Sequence, residues 1–288
     1  MATGIGAPPG PRWRLFLWPP LAIATALLVG PQALFVWMSL HRNLGMGMIS
    51  DTLTSANYLR ILTDPFYLGS LWLTFRLSFT ATGIGLALAF PTAYLLARSR
   101  SRLAPLAIVL LLTTALVSIV VKVLGLSLVL GQEAVVNQAL RGMGLVSTPV
   151  RMLDNTVGVV IGLVQYTLPF LVLVLISVIQ TIPESLEEAA ELHGATRLST
   201  FRRIILPLAM PGAVAGGLIA FNLNMGAFTS AVLLGGGKVL TLPVLIQRKI
   251  MLDVDYPLAA SLSTLLVVLV FLFNLATALL LRRRRAPA

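Results

Sequence analysis

Six stretches of this chain stay apolar for long enough to cross a lipid bilayer, and no other feature narrows its fold so far. They run about 15–40, 68–97, 104–126, 157–181, 209–234 and 258–281, each near or above the ~20 residues a helix needs to span the hydrocarbon core. In hydrocarbon every backbone N–H and C=O must be satisfied within the protein, so spans of this kind are helices. The expected fold is all-α and integral to the membrane, with six transmembrane helices. Composition points the same way. Of 288 residues, 57% are hydrophobic and 11% charged, against about 25% charged in soluble domains. Pro91, Pro169 and Pro211 fall inside or at the ends of spans, where neighbouring helices can satisfy the freed carbonyls.

The net charge of +11 does not describe a nucleic-acid groove, because Lys and Arg sit in short clusters between apolar runs without interleaved aromatics. Such clusters mark the cytoplasmic ends of helices. With the N-terminus inside, twelve basic residues face the cytoplasm: Arg12, Arg14, Arg98, Arg100, Arg102, Arg197, Arg202, Arg203 and Arg282 to Arg285. Seven face outward: Arg42, Arg60, Arg141, Arg151, Lys238, Arg248 and Lys249. Both termini are therefore expected in the cytoplasm, with the chain crossing the inner (plasma) membrane repeatedly. The expected division is a tail at 1–14, a first helix at 15–40, an external loop at 41–67, a five-helix core at 68–281 and a basic tail at 282–288. The run from Arg12 onward resembles a signal peptide at first, but its apolar part outlasts the ~7–15 residues of an h-region, so an uncleaved helix is expected. The chain has no cysteine, and His41 and His193 are far apart, so neither a disulfide framework nor a metal centre is indicated. Gly235-Gly236-Gly237-Lys238 lacks the Ser or Thr that completes a phosphate loop. No nucleotide site is expected on the chain itself.

The loop between the fourth and fifth spans, 182–207, carries the most information. Thr181 and Glu184 have capping-box spacing, with Pro183 in the first turn. A short helix is expected to about Leu192, ended by Gly194 in the left-handed conformation. A second, about 199–206, is expected to stop before Pro207. On the first helix Leu186, Ala189, Ala190 and His193 share one face. Its alanines allow close approach, and Glu187, Glu188 and Glu191 flank them. Helices that rest on a membrane surface carry Lys and Arg on the polar face. This acidic one suits a groove on another protein.

Glu188-Ala189-Ala190, Gly194-Ala195, Phe201, Ile204 and Leu206-Pro207 resemble the EAA loop of the membrane subunits of binding-protein-dependent ABC importers. The resemblance implies a type I permease fold. It also implies that the loop inserts into a cleft on a cytoplasmic ATPase through Glu188, Ala189, Ala190, Gly194, Ala195, Phe201, Leu206 and Pro207. The expected partners are a second homologous permease, two ATP-binding subunits, an external solute-binding protein and the lipid bilayer. No nucleic acid is expected. No cofactor is expected on this chain, ATP being bound by a partner, and the chain itself is non-catalytic. Leu53-Thr54, Asn57-Tyr58, Asp64-Pro65, the run from Pro91 to Arg98, and Leu168-Pro169-Phe170 are similar to the spermidine/putrescine permease branch, implying a polyamine or similar small organic solute. Ferric iron, an amino-acid derivative and an oxyanion remain open as cargo. An ion-coupled secondary transporter is the alternative mechanism, but internal repeats and intramembrane carboxylates, its usual marks, are not evident.

Within the spans, Gln165, Tyr166, Asn222, Asn224 and Phe228 are the candidates for the translocation path. They either line a cavity or join helix to helix. Arg76 and Lys122 either serve that path or snorkel to the interface.

Overall fold

A computed structural model describes residues 11–285, so the expected terminal tails lie outside it at 1–10 and 286–288. Its helices are α1 (Pro11–Ser39), α2 (Ala56–Thr63), α3 (Pro65–Arg98), α4 (Leu103–Leu116), α5 (Ile119–Leu130), α6 (Val135–Gly142) and α7 (Thr156–Gln180), followed by α8 (Ser185–Leu192), α9 (Arg197–Thr200), α10 (Leu206–Met225), α11 (Thr229–Gly235), α12 (Leu242–Met251) and α13 (Tyr256–Arg285). Two strands, β1 (His41–Gly45) and β2 (Met48–Leu53), pair antiparallel between α1 and α2. Among the described residues six helical stretches are long and apolar enough to cross a membrane. The first helix starts at Pro11, four residues ahead of the expected boundary.

Two crossings differ from the continuous spans expected. The third is broken: α4 and α5 meet at Val117 and Ser118, both extended, with ψ of 138° and 132°. Val117, Ile119, Val120 and Val121 surround the break. β-branched side chains lose rotamer freedom in a helix, so a break costs least there. By length and composition the third stretch is Ile119–Gly142, through α5 and α6, with α4 a shorter apolar helix. We assign the crossing instead to α4 with α5, because the turn and helix that follow α5 carry Gln132, Glu133 and Arg141. The fifth crossing ends at Met225. Gly226 closes α10 on the Asn222 carbonyl, and α11 starts anew at Thr229.

The residues fall into two compact units. One holds the described residues up to Thr63 with Ile246–Val268. Here Asn57 Nδ2 donates to the carbonyls of Ser39 (3.0 Å) and His41 (2.7 Å), and Ser261 Oγ donates to the same Ser39 carbonyl at 3.0 Å. The Ser39 carbonyl, an orphan at the end of α1, is thereby satisfied.

The other unit, Asp64–Leu245 with the described residues from Leu269 on, contains α3, α7 and α10 packed together. Asp64 caps α3 by accepting from the Phe66 N–H at 2.9 Å, with Pro65 in the first turn. Asn155 caps α7 by accepting from the Gly158 N–H at 3.0 Å. Ala89, Phe90, Ala93, Leu171, Leu175, Ile179, Ala209 and Ala213 form one buried cluster. Leu77, Ala81, Val159, Leu163, Ala227 and Ala231 form a second. Lipid supplies no hydrophobic drive between helices, so close packing of small residues must hold them. Gly85 faces Leu171, Gly216 faces Val174 and Gly212 faces Val178, so that a Cβ at Gly212 would overlap the valine.

Candidate functional site

The loop after α7 begins by turning back on it. Thr181 Oγ1 donates to the Val178 carbonyl at 2.7 Å, so the expected capping box does not form, and α8 begins at Ser185 without a side-chain cap. Its other end is as the sequence implies. Gly194 has φ of +79°, its N–H donates to the Glu191 carbonyl at 2.9 Å, and the Ala195 N–H reaches the Ala190 carbonyl at 3.0 Å. These paired bonds form a Schellman motif, whose left-handed residue favours glycine. No atom lies within 4 Å of where a Gly194 Cβ would sit. The constraint is therefore the backbone and not space.

Thr196 caps α9 by accepting from the Ser199 N–H at 3.3 Å. The expected stop before Pro207 does not occur. Phe201–Ile205 forms a π-helical turn that runs straight into α10, with Pro207 in its first turn. A proline inside a helix clashes with the carbonyl four residues back. The wider π turn gives Pro207 room, so the chain continues where a regular α-helix would kink.

None of the residues of α8 is buried. Leu186 is 41% exposed, Leu192 88%, and Leu198 on α9 66%. Ala189 is exposed and Ala190 half-buried. Glu188 and Glu191 are exposed and have no ion partner among the described residues. Glu187 differs. Its Oε1 accepts from Arg98 Nε at 2.6 Å and its Oε2 from the Tyr94 hydroxyl at 2.7 Å. Arg98 Nη2 also donates to the Ile182 carbonyl at 2.7 Å. Phe201 packs between Phe90 and Tyr94, with centroid distances of 6.1 and 5.1 Å, and Leu206 lies against the first buried cluster. The structure thus groups Glu188, Ala189, Ala190, Gly194 and Ala195 on or at the end of an exposed helix. Phe201 and Leu206 anchor the segment that follows, and Pro207 is exposed. A cleft of about 910 Å³ lies between the end of α3 and this loop, bordered by Tyr94, Arg98, Glu184, Glu188, Glu191 and Phe201.

Of the path candidates, Asn222 Nδ2 donates to Asn274 Oδ1 at 3.2 Å, and Asn274 Nδ2 returns a bond to Asn222 Oδ1 at 2.9 Å. Asn224, 2% exposed, donates to Thr82 Oγ1 at 3.2 Å, while its own Oδ1 has no partner. Both asparagines therefore join helices in this conformation. Gln165 and Tyr166 are half-buried on α7. The Lys122 ammonium stands 5.7 Å from the Tyr166 ring centre and donates to the Thr114 carbonyl at 3.1 Å, on the last turn of α4. Lys122 thus satisfies an orphan carbonyl that the break exposes. Phe228, in the turn after α10, packs against the second buried cluster. Arg76 is exposed on α3 without an ion partner among the described residues. An apolar groove of about 640 Å³ runs between α3, α10 and α13, lined by Phe79, Leu86, Phe90, Met210, Phe221 and Phe273.

Two parts of this arrangement were not singled out from the sequence. The Asn274 partner of Asn222 had a usable signal, a lone asparagine in an apolar span. The Arg98–Glu187 pair joins residues 89 positions apart, and nothing local announces it.

Residues 89–286 match the family model described as "binding-protein-dependent transport system inner membrane component". The chain is 32% identical over 257 residues to a spermidine/putrescine transport system permease protein of Haemophilus influenzae, covering 88% of this chain and 90% of that one. It is 34% identical over 255 residues to the protein of that name in Escherichia coli, covering 88% of each. A solved bacterial ABC transporter that imports the acidic polysaccharide alginate has the same fold in one of its chains, with a TM-score of 0.75, 17% identity and 96% of each chain covered. With six helical crossings, a family match over most of its length and these relatives, the chain belongs to the inner-membrane permease subunits of binding-protein-dependent ABC importers.

Proposed function

We propose that this permease forms a translocation path with a second permease, and that α8 couples the path to a cytoplasmic ATPase. A solute-binding protein delivers the cargo from outside, and both termini lie in the cytoplasm. The observation that carries this reading is α8 itself. It is a well-formed helix with no buried residue, closed by a Schellman turn and set between two core crossings. An exposed helix with Ala189 at its surface and free Glu188 and Glu191 gains little by itself and suits an opposing groove with basic residues. ATP binding and hydrolysis belong to the partner subunit. Alternating access follows: closure of the ATPase pair moves α8, and the crossings attached to it open the path outward.

The relatives are named for spermidine and putrescine, so a polyamine is the first cargo to test. A second reading, an anionic solute, has one observation in its favour. The described crossings contain Arg76 and Lys122 but no Asp or Glu from α3 to α5 or in α7, α10 and α13. The deciding experiment has two arms. Co-purification with the ATPase should be lost in Ala190→Trp, where added bulk blocks docking, while the abundance of membrane-inserted protein is kept. Retained co-purification and full ATPase stimulation in that variant would remove α8 from the coupling role. Thermal-shift screening of the cognate binding protein against spermidine, putrescine, sulfate and amino acids then separates the cargo classes.

A further inference from the structure

The helix α8 is connected through the backbone to α7 on one side and to α10 on the other. Helix α3 has no such connection to it, yet packs beside both crossings. What joins α3 to the loop is a set of side-chain bonds at its last two turns. Arg98 reaches three points of the loop. Its Nε meets Glu187 Oε1 at 2.6 Å, its Nη2 the Ile182 carbonyl at 2.7 Å, and its Nη1 stands 4.0 Å from Glu184 Oε1. The Tyr94 hydroxyl occupies the second oxygen of Glu187 at 2.7 Å.

This pair differs from an ordinary surface ion pair. The Arg98 and Glu187 side chains are 14% and 15% exposed. The neighbouring Arg100–Glu184 pair is 3.6 Å apart and 91% and 56% exposed. Exposed pairs hold geometry weakly. A half-desolvated pair with both carboxylate oxygens occupied resists separation, because parting the partners leaves a buried charge uncompensated. The 34 residues of α3 form one helix, about 51 Å long. A displacement at Arg98 is therefore carried along the crossing that holds Thr82 against Asn224 and Phe75 against Phe221.

We propose that Arg98 and Glu187, steadied by Tyr94, are positioning residues that transmit the movement of α8 to α3. This rests on the coupling role proposed for α8 and goes beyond it by naming the route into a crossing with no backbone link to the loop. Glu187 is then reserved for the inside of the chain, and Glu188 and Glu191 are left for the ATPase.

The test uses the assembled transporter, with its second permease, ATPase and binding protein, in proteoliposomes. A single cysteine at Phe79→Cys reports on α3, because Phe79 is 60% exposed and borders the apolar groove. Its rate of reaction with a maleimide is compared between the nucleotide-free and vanadate-trapped states. Trapping should change this rate several-fold with the pair intact. In Arg98→Gln and in Glu187→Gln the change on trapping should fall from several-fold to less than about twofold, while ATPase co-purification and stimulated hydrolysis persist. With Phe79 unaltered in this cysteine-free chain, Arg98→Cys with Glu187→Cys, bridged by a short bis-methanethiosulfonate reagent, should regain ATP-dependent transport that the unbridged pair lacks.

An α3 cysteine that ignores trapping with the pair intact would overturn the proposal. So would an undiminished response in both Gln variants, or hydrolysis and co-purification falling together with the response. The last result would mean that the pair only shapes the docking face. Absence of ATPase co-purification with the unaltered chain is a different failure, and it would count against the coupling role itself.

Discussion

Asn222 on α10 and Asn274 on α13 donate to each other's side-chain carbonyls, at 3.2 and 2.9 Å. A reciprocal amide pair satisfies both side chains at once, and Asn274 also donates to the Val270 carbonyl at 2.7 Å. In lipid such a bond contributes about 0.6 kcal/mol and at most ~1.7 kcal/mol. Asn274→Leu should therefore lower thermal stability only slightly. If Asn222 also touches cargo in another conformation, Asn222→Leu should reduce uptake far more than Asn274→Leu at matched stability. Equal uptake in the two variants would confine Asn222 to helix packing. Uptake and melting curves of the purified assembly supply both numbers.

Helix packing in the core makes a sharper contrast. A Cβ at Gly212 would overlap Val178, whereas nothing lies within 4 Å of one at Gly83. Gly212→Ala should destabilise by about 1–3 kcal/mol through overpacking. Gly83→Ala should be neutral or stabilise by up to ~1 kcal/mol, because alanine is the better helix former. Val178→Ala should rescue Gly212→Ala, and a double-mutant cycle measured by thermal unfolding gives the coupling. Additive losses would mean that the two helices part without strain.

At the end of α8 the demand is on the backbone. With φ of +79° and open space around it, Gly194 accepts side chains of any bulk that tolerate the left-handed region. Asparagine does so far more readily than valine. Gly194→Asn should keep most of the stimulated ATP hydrolysis, and Gly194→Val should lose it while membrane abundance stays normal. Equal activity in the two variants would show that the angle set by Gly194 does not matter for coupling.

What the sequence made legible is what depends on near neighbours. The helix at 185–192 and its glycine stop follow from spacing and from one residue's conformational freedom. The six apolar stretches follow from the length a bilayer imposes. The break at Val117–Ser118 was hidden because no Gly or Pro marks it, and β-branched residues only weaken a helix. Continuity through Pro207 was hidden for a related reason. A π turn relieves the clash of the ring, and no residue type announces such a turn. The pairs Arg98–Glu187 and Asn222–Asn274 depend on which faces meet after folding, which the periodicity of a single helix does not specify.

The path candidates separate by accessibility, which a chain without cysteine lets single introduced thiols report. Gln165 is half-buried and its side chain makes no hydrogen bond among the described residues, and the Pro169 ring has removed the N–H that would bond its carbonyl. Asn224 is 2% exposed and sits against Thr82 with one oxygen unpartnered. A buried unsatisfied oxygen costs about 1–3 kcal/mol, so the α3–α10 contact in this conformation carries a penalty that a water or a cargo group would relieve. Gln165→Cys should accordingly react with a small hydrophilic thiol reagent in the resting transporter, and Asn224→Cys should stay inert there. Asn224→Cys should become reactive once vanadate trapping draws α3 and α10 apart, and cargo should then protect it. Labelling rates in the two states decide the matter. A thiol at 224 that stays silent in every state would make Asn224 a packing residue, and the path would have to be sought along Tyr166 and Lys122.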